Sequence, residues 1–305
     1  MNIEKIKIYT DEHPILKEIL QPIIFIRRFL TQRKYLAYLK IYENLCNLLT
    51  EDITINVPEF QGFFSVDCHS DLFKRILINK EYESSLVNMA LKYVNKDRDV
   101  IDVGANIGFY TVLFAKNLKG KKVLSIEPTD NALRRLYKNV EQNEVTNRVI
   151  VFEGAASDHS GKTEIKMKEG KEEYSTLGLW KHPSIRNETF VTQQIDIATV
   201  DDLASKHNLD PGFIKIDVEG CEHLVLKGLK NTLENKRPVI LSELSNYLLK
   251  QNGSSSLEVI TFLNSFHYTV IDAENAQVNP ASREFTNILA IPQELQKSDL
   301  SHYAI

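Results

Sequence analysis

Short apolar runs alternate with stretches of helical periodicity from residue 97 to residue 292. VIDVG, VLSIE, VIVFEG, FIKID, PVILSE, YTVID and NILAI read as strands. IGFYTVLFAKN, NALRRLYKNVEQN, EHLVLKGLKNTLE and SLEVITFLNSF repeat apolar residues every three or four positions, the signature of amphipathic helices. Such alternation implies right-handed crossovers and an α/β fold, a parallel sheet with helices on both faces. The last two strands are joined by AENAQVNPAS, without a helix, which predicts an antiparallel hairpin at the sheet edge. About fifty residues interrupt the pattern between VIVFEGAASD and FIKID. Within them KTEIKMKEG and FVTQQIDIA read as two more strands, and TVDDLASKH as a helix. Between those strands lies EEYSTLGLWKHPSIRNE, with the only tryptophan, Trp180. Long insertions in α/β domains are often binding lids. Tyr174, Trp180 and His182 are therefore candidate ligand contacts, because aromatic faces pack on apolar C–H surfaces. Anchoring of the loop itself is the plainer alternative.

Ahead of the core, ITINV, PEFQG and FFSVD predict a β-hairpin, and a helix follows around Tyr82–Tyr93. Residues 1–50 carry Ile15, Ile19, Ile23, Ile26 and Leu30 at helical spacing, interrupted by Pro22. Residues 19–42 hold five basic residues and no acid, which fits a surface helix with a solvated basic face. The sharper alternative is a helix lying on a membrane surface or docking a partner. The chain thus divides into a helical extension (1–50), a bridging hairpin and helix (51–95), an α/β core (96–292, with an insertion at 159–198) and a tail (293–305).

Composition limits the classes on offer. Of 305 residues, 43% are hydrophobic and 26% charged, so the chain can bury a real core. The net charge of −4 argues against an electrostatic nucleic-acid binder, and no nucleic-acid partner is expected. Cys46, Cys68 and Cys221 are far apart, which excludes a CxxC metal site and argues against a disulfide framework. The first residues lack a signal-type apolar core, so a cytoplasmic location is the expectation, with membrane association only through residues 19–42.

The chemistry concentrates at strand ends. Asp102-Val103-Gly104-Ala105-Asn106-Ile107-Gly108-Phe109-Tyr110-Thr111 leaves one apolar strand and opens a helix, as the cofactor turn of a doubly wound sheet does. Gly104 permits the sharp exit, and Gly108 close approach of a helix or ligand. The dinucleotide fingerprint G-x-G-x-x-G has Asn106 at its second glycine and Phe109 at its third. A nucleotide without pyrophosphate fits better, and S-adenosylmethionine is one, with Asp102 positioned to face its ammonium. Glu127 ends the next strand, 19 residues past Gly108, near the offset at which an acid reaches ribose hydroxyls. Small residues around Ala155 leave a slot for a flat adenine, with Asp158 as a candidate for its amino group. Lys215 and Asp217 alternate onto one side of their strand, followed by Glu219 and Glu222, and Glu243 ends the strand after it.

Together these motifs resemble the FkbM family of S-adenosylmethionine-dependent methyltransferases. The resemblance rests on DVGANIGFYT, Ile126-Glu127-Pro128, the Ser157-Asp158 step, TVDDL at 199–203 and KIDVEGCE at 215–222. It spans about residues 62–292 and takes in Glu81-Tyr82-Glu83, where family members show a Tyr-Glu pair, so Glu83 joins the candidate substrate contacts. The resemblance implies a Rossmann-like, seven-stranded class I methyltransferase sheet. It implies a cofactor site on Asp102, Gly104, Asn106, Gly108 and Glu127, widened here to Ala105, Phe109, Tyr110, Thr111 and Pro128, with the acceptor near Asp217. Family members act mostly on sugar and natural-product hydroxyls, so the expected acceptor is a glycan or small molecule and the spent cofactor S-adenosylhomocysteine. Asp217 is the first candidate base and Glu243 the second, with Lys215 and Glu219 beside them. No metal is expected. Homo-oligomerisation stays open. The rival readings are a nicotinamide-dependent oxidoreductase and a non-catalytic S-adenosylmethionine-binding module.

Overall fold

The structure, a computed structural model, describes residue 40 and residues 52–79, 82–167 and 191–298. The readings of the N-terminal extension and of Tyr174, Trp180 and His182 lie outside the described residues, apart from Lys40.

The chain begins with the hairpin β1 (Ile53–Val57) and β2 (Gly62–Val66), paired in the register Ile53↔Val66 to Val57↔Gly62. Helices α1 (Asp71–Asn79) and α2 (Ser84–Tyr93) follow. Then come β3 (Asp99–Val103), α3 (Phe109–Asn117), β4 (Val123–Glu127), α4 (Asp130–Gln142) and β5 (Val149–Ala156). Strands β6 (Gly161–Met167) and β7 (Val191–Ala198) precede α5 (Val200–Lys206) and β8 (Pro211–Ile216). Short helices α6 (Glu222–Lys227) and α7 (Lys230–Asn235) lead to β9 (Val239–Ser245). Helices α8 (Asn246–Gln251) and α9 (Ser256–Ser265), strands β10 (Tyr268–Asp272) and β11 (Phe285–Pro292), and α10 (Gln293–Ser298) complete the described chain.

Nine strands form one sheet in the order β10-β11-β9-β8-β3-β4-β5-β7-β6. From β9 through β5 to β7 every pairing is parallel, while β11 runs antiparallel to both its neighbours. The expected terminal hairpin is thus β10–β11, with β11 as the inner strand. The first seven strands in that order are the expected methyltransferase sheet. The insertion extends it, because β7 pairs with β5 and β6 pairs antiparallel with β7. The chain steps outward from β3 to β5, then returns to β8 on the other side of β3. The crevice for a ligand lies at that reversal, outside the carboxyl ends of the strands.

The central strands are apolar on both faces, so alternate residues enter separate cores. Val100, Val123, Phe213 and Val239 pack with the hairpin and α2–α4. Ile101, Leu124, Ile214 and Ile240 pack with α5, α6, α7 and α9 on the other face. Amides of α4 and of its C-cap tie down the hairpin: Asn139 Oδ1 accepts from Ser65 N at 2.6 Å and Asn143 Oδ1 from Phe63 N at 3.1 Å. Beneath them the buried Arg135 reaches Asp52 and Asp67 at 2.9 and 3.2 Å. Phe60 from the hairpin turn stacks on Phe109 at 4.9 Å between centroids, which seats the hairpin on the first turn of α3. Among the described residues no helix is long and apolar enough to cross a membrane.

Candidate active site

The turn after β3 is held by backbone alone at first. Gly104 N and Ala105 N both donate to Ile126 O at 3.0 Å, and Gly108 N donates to Ala105 O at 2.9 Å. Gly104 has φ +76°, and a Cβ there would stand 1.8 Å from the carbonyl oxygen of Asp217. The first glycine therefore exists so that the turn after β8 can pass over the turn after β3. Gly108, at φ +91°, would drive a Cβ to 2.5 Å from Leu136 Cδ1, so it serves the approach of α4. Asn106, in the left-handed region at φ 49°, directs its N–H to Glu127 Oε2 at 2.9 Å. The other oxygen of Glu127 accepts from Thr129 N at 3.0 Å and Thr129 Oγ1 at 2.6 Å. That clamp fixes the carboxylate at the end of β4.

A cleft of about 330 Å³, within the range of small-molecule sites, crosses the sheet edge here. Its wall follows the strand order: Ala155 and Ala156 of β5, Ile126 and Glu127 of β4, Val103 of β3 and Gly104 just after it. It continues with Lys215 and Asp217 at β8, Glu243 of β9 and Phe285 of β11. The predicted Ala105, Asn106, Phe109, Tyr110, Pro128, Glu83 and Glu219 line it as well.

Four predicted cofactor residues stand outside this lining. Asp102 is fully buried; its Oδ2 accepts from Thr111 Oγ1 at 2.7 Å and so braces α3, while its Oδ1 has no hydrogen-bond partner among the described residues. Thr111 is equally buried and shares its hydroxyl with Ser125 at 2.8 Å. Gly108 faces α4, as described above. Asp158 turns to His159 Nδ1 at 2.7 Å and lies outside the cleft lining, to which Ile165 of β6 belongs. Sequence reading also missed Leu72 and Arg75 of α1, and Phe285. Phe285 of β11, 55% exposed, stands opposite Ser245 of β9 and lines the cleft.

The far end of the cleft is acidic. Lys215 Nζ pairs with Asp217 Oδ2 at 3.1 Å, reaches Gly104 O at 3.4 Å and lies 5.0 Å over the Tyr110 ring. Burial pulls that amine down, but Asp217, Asp102 and Glu83 outweigh it and hold the amine above its usual range. Tyr110 donates its hydroxyl to Glu83 Oε2 at 2.9 Å. Burial raises the carboxyl of Glu83, with Lys215 opposing. Glu243 has no ion-pair partner among the described residues. Burial, and then the charges of Asp217, Glu219, Glu222 and Glu83, hold its carboxyl well above the usual carboxylate range. The oxygens of Asp217, Glu219 and Glu243 lie within 4.8 Å of one another.

Glu222 supports this end from behind. It is 1% exposed, and its Oε1 accepts from Gly220 N at 3.0 Å and Val218 N at 3.3 Å. Those bonds brace the turn in which Glu219 and Gly220 take φ of 52° and 93°. Burial pushes its carboxyl up to about 7.

The fold is that of the class I, Rossmann-like methyltransferases, with a glycine turn and an acid at the next strand end. The model of the methyltransferase FkbM domain matches residues 102–270, more than half of the chain, and the chain belongs to that family. A solved FkbM methyltransferase from Methylobacillus flagellatus KT is similar over 77% of this chain and 58% of its own, with 18% identity and a TM-score of 0.43. This chain therefore spans less than two thirds of that protein's length. TYW2 of M. jannaschii, solved with AdoMet, is similar over 79% of this chain and 85% of its own, with 15% identity and a TM-score of 0.39. The precorrin-6y C5,15-methyltransferase of Geobacter metallireducens GS-15 gives 69%, 88%, 12% and 0.40 for the same measures. No curated protein matches the chain.

Proposed function

We propose that this protein transfers the methyl group of S-adenosylmethionine to a hydroxyl oxygen of a glycan or natural-product acceptor. The observation that carries the reading is the polarity of the cleft. A clamped carboxylate and small residues stand at one end, and carboxylates in excess of cations at the other. The residues fit the cofactor on chemical grounds. Glu127 can accept from ribose hydroxyls, Ala155 and Ala156 leave width for a flat base, and the acidic end suits a sulfonium and an ammonium.

The bound cofactor supplies an electrophilic methyl group on sulfur. The chain's own residues then have two tasks, to aim an acceptor oxygen at that carbon and to take its proton. Positioning supplies much of the rate for so good a leaving group. Glu243 is the better base of the two candidates, because Lys215 pairs with Asp217 while no cation among the described residues pairs with Glu243. Its raised proton affinity brings it toward the pH at which it works. Asp217 and Lys215 fix the loop on which the acceptor rests. We propose no metal in this scheme, and turnover undiminished by a chelator is the expected outcome. The acceptor and any contact through residues 19–42 are further parts of the same proposal.

Calorimetric titration with S-adenosylmethionine and S-adenosylhomocysteine tests the cofactor half. Absence of heat with both, on folded protein, overturns it. Transfer of a labelled methyl group to hydroxyl-bearing glycosides tests the other half; label appearing only on nitrogen overturns O-methylation, and label appearing only on RNA overturns the glycan or natural-product acceptor.

A further inference from the structure

Phe285 is the first residue of β11 and lines the cleft with 55% of its surface exposed, whereas Phe109 and Tyr110, which also line it, are 5% exposed and belong to the core. Because β11 runs antiparallel to β9, it begins at the edge of the sheet where β9 ends. Phe285 stands opposite Ser245, and Asn287 opposite Glu243. Phe285 and Glu243 are therefore diagonal neighbours on one face, about 7–8 Å apart. Leu241 and Leu289, at alternate positions with them, pack into the core on the hairpin side. That is the side from which α2 brings Glu83, the residue at its N-cap.

The strand order says which part of a ligand meets this ring. With a ribose at Glu127, the nucleoside lies on β4, and β11 stands four strand spacings away, about 19 Å. What touches Phe285 lies beyond the reacting end, on the acceptor's side of Glu243. The polar groups there are mostly carboxylates: Glu83, Asp217, Glu219 and Glu243 all line the cleft. An ionised carboxylate only accepts, so this end suits a molecule with several hydroxyl donors. A saturated sugar ring offers those hydroxyls at its rim and an apolar C–H face for an aromatic ring to cover. An acyclic polyol has the hydroxyls without the face, and a phenol has a flat face with few hydroxyls. We infer that Phe285 is the acceptor platform: a pyranose ring lies on it, with one ring hydroxyl directed at Glu243. This rests on the O-methylation from S-adenosylmethionine proposed above.

The test follows labelled methyl transfer to the methyl pyranosides of glucose, galactose, mannose and rhamnose, with glucitol and catechol as comparisons. Wild type should label at least one pyranoside, with kcat/KM about tenfold or more above that for glucitol, whose open chain must be ordered on binding. Phe285→Ala should raise KM for that pyranoside about tenfold through lost ring contact, with S-adenosylhomocysteine affinity within about threefold of wild type. Phe285→Tyr, which keeps the ring, should stay within about threefold of the wild-type KM, and Phe285→Leu, which keeps bulk without a flat face, should raise KM by about threefold or more. Thermal unfolding checks that each variant is folded; if Phe285→Ala is not, Phe285→Leu and Phe285→Tyr carry the test. A wild-type KM in a folded alanine or leucine variant overturns the inference. So does wild type that binds S-adenosylhomocysteine but labels no pyranoside, or labels glucitol or catechol as well as the best of them. Wild type that does not bind S-adenosylhomocysteine overturns the cofactor reading instead.

Discussion

Asp217 and Glu243 differ by one neighbour. Lys215 Nζ sits 3.1 Å from Asp217, and no cation pairs with Glu243 among the described residues. A carboxylate that shares a site with other carboxylates holds its proton to higher pH, and Glu243 is so held by burial and by four acidic neighbours. A base must be ionised to act, so turnover should rise as pH increases through the raised Glu243 value, above the ordinary carboxylate range. Glu243→Gln should lower kcat by about 10²–10⁴-fold and remove that limb from the pH profile, with S-adenosylhomocysteine affinity within about threefold of wild type. A Glu243→Gln enzyme with wild-type kcat and the same limb would return the role to Asp217. Gly104 argues the same way at a backbone position. Gly104→Ala combines a left-handed φ of +76° with a Cβ 1.8 Å from the Asp217 carbonyl. It should cost roughly 1–3 kcal/mol in urea unfolding and abolish measurable S-adenosylhomocysteine binding. Wild-type values for both would mean that the two turns are not packed as described.

Among the elements, the turn from Asp217 to Glu222 makes the clearest prediction, because a buried carboxylate braces it. Glu222 binds its proton more tightly when folded, near 7, than at its ordinary 4.5. Below pH 4.5 both states are protonated and the group is neutral to stability. Between those values the folded state holds more protons, so stability falls as pH rises, by about 3 kcal/mol in all, and levels off above 7. Glu222→Gln keeps an oxygen for Val218 N and Gly220 N and does not ionise. Urea unfolding across pH 4–8 should show that decline in wild type and a shallower one in Glu222→Gln; parallel curves would refute it. The same scale shows what the sequence made legible. Strands and the helices α3, α4 and α9 follow from apolar spacing, because their contacts repeat with the period of the element. EHLVLKGLKNTLE reads as one helix but divides into α6 and α7 at Gly228, whose Cβ would stand 2.0 Å from Ser157 O. That break is set by a loop seventy residues earlier in the chain, which periodicity does not register. Helices α1 and α8 went unforeseen, since DLFKRILIN and NYLLKQ are short and their apolar positions make sense only against the rest of the fold. The site divides likewise. Strand-end acids announce themselves, whereas Leu72, Arg75, Ile165 and Phe285 reach the cleft through pairings and packing distant in sequence. Asp102 also serves the fold, its Oδ2 accepting from Thr111 Oγ1, a task that its motif position does not announce.

Across the whole molecule the sheet acts as a ruler, laying one cleft over the ends of strands from β5 to β11. The charges along it are uneven. Glu83, Glu127, Asp217, Glu219 and Glu243 line it against Lys215 and Arg75, while the entire chain carries only −4. Clefts with low-dielectric walls concentrate such an imbalance, so the cleft should favour a cationic ligand over a neutral one of the same shape. Sinefungin and S-adenosylhomocysteine make that comparison, since they share the nucleoside and the amino-acid tail while sinefungin bears an additional amine near the position of the transferred methyl. At pH 7.5 and low salt, sinefungin should bind about three- to tenfold more tightly, the worth of one partly exposed charge pair or slightly more. The margin should shrink as ionic strength rises and the field is screened. It should shrink again toward pH 5, as Glu83 and Glu243, whose carboxyls are raised by burial, take up protons. Glu243→Gln should reproduce part of that loss at pH 7.5, because it removes a charge and little volume. Calorimetry with both ligands across salt and pH separates this account from a shape-only one. Equal affinities for the two ligands, unaltered by salt, would mean that the acidic end neither attracts the cofactor's charge nor discriminates against its spent form.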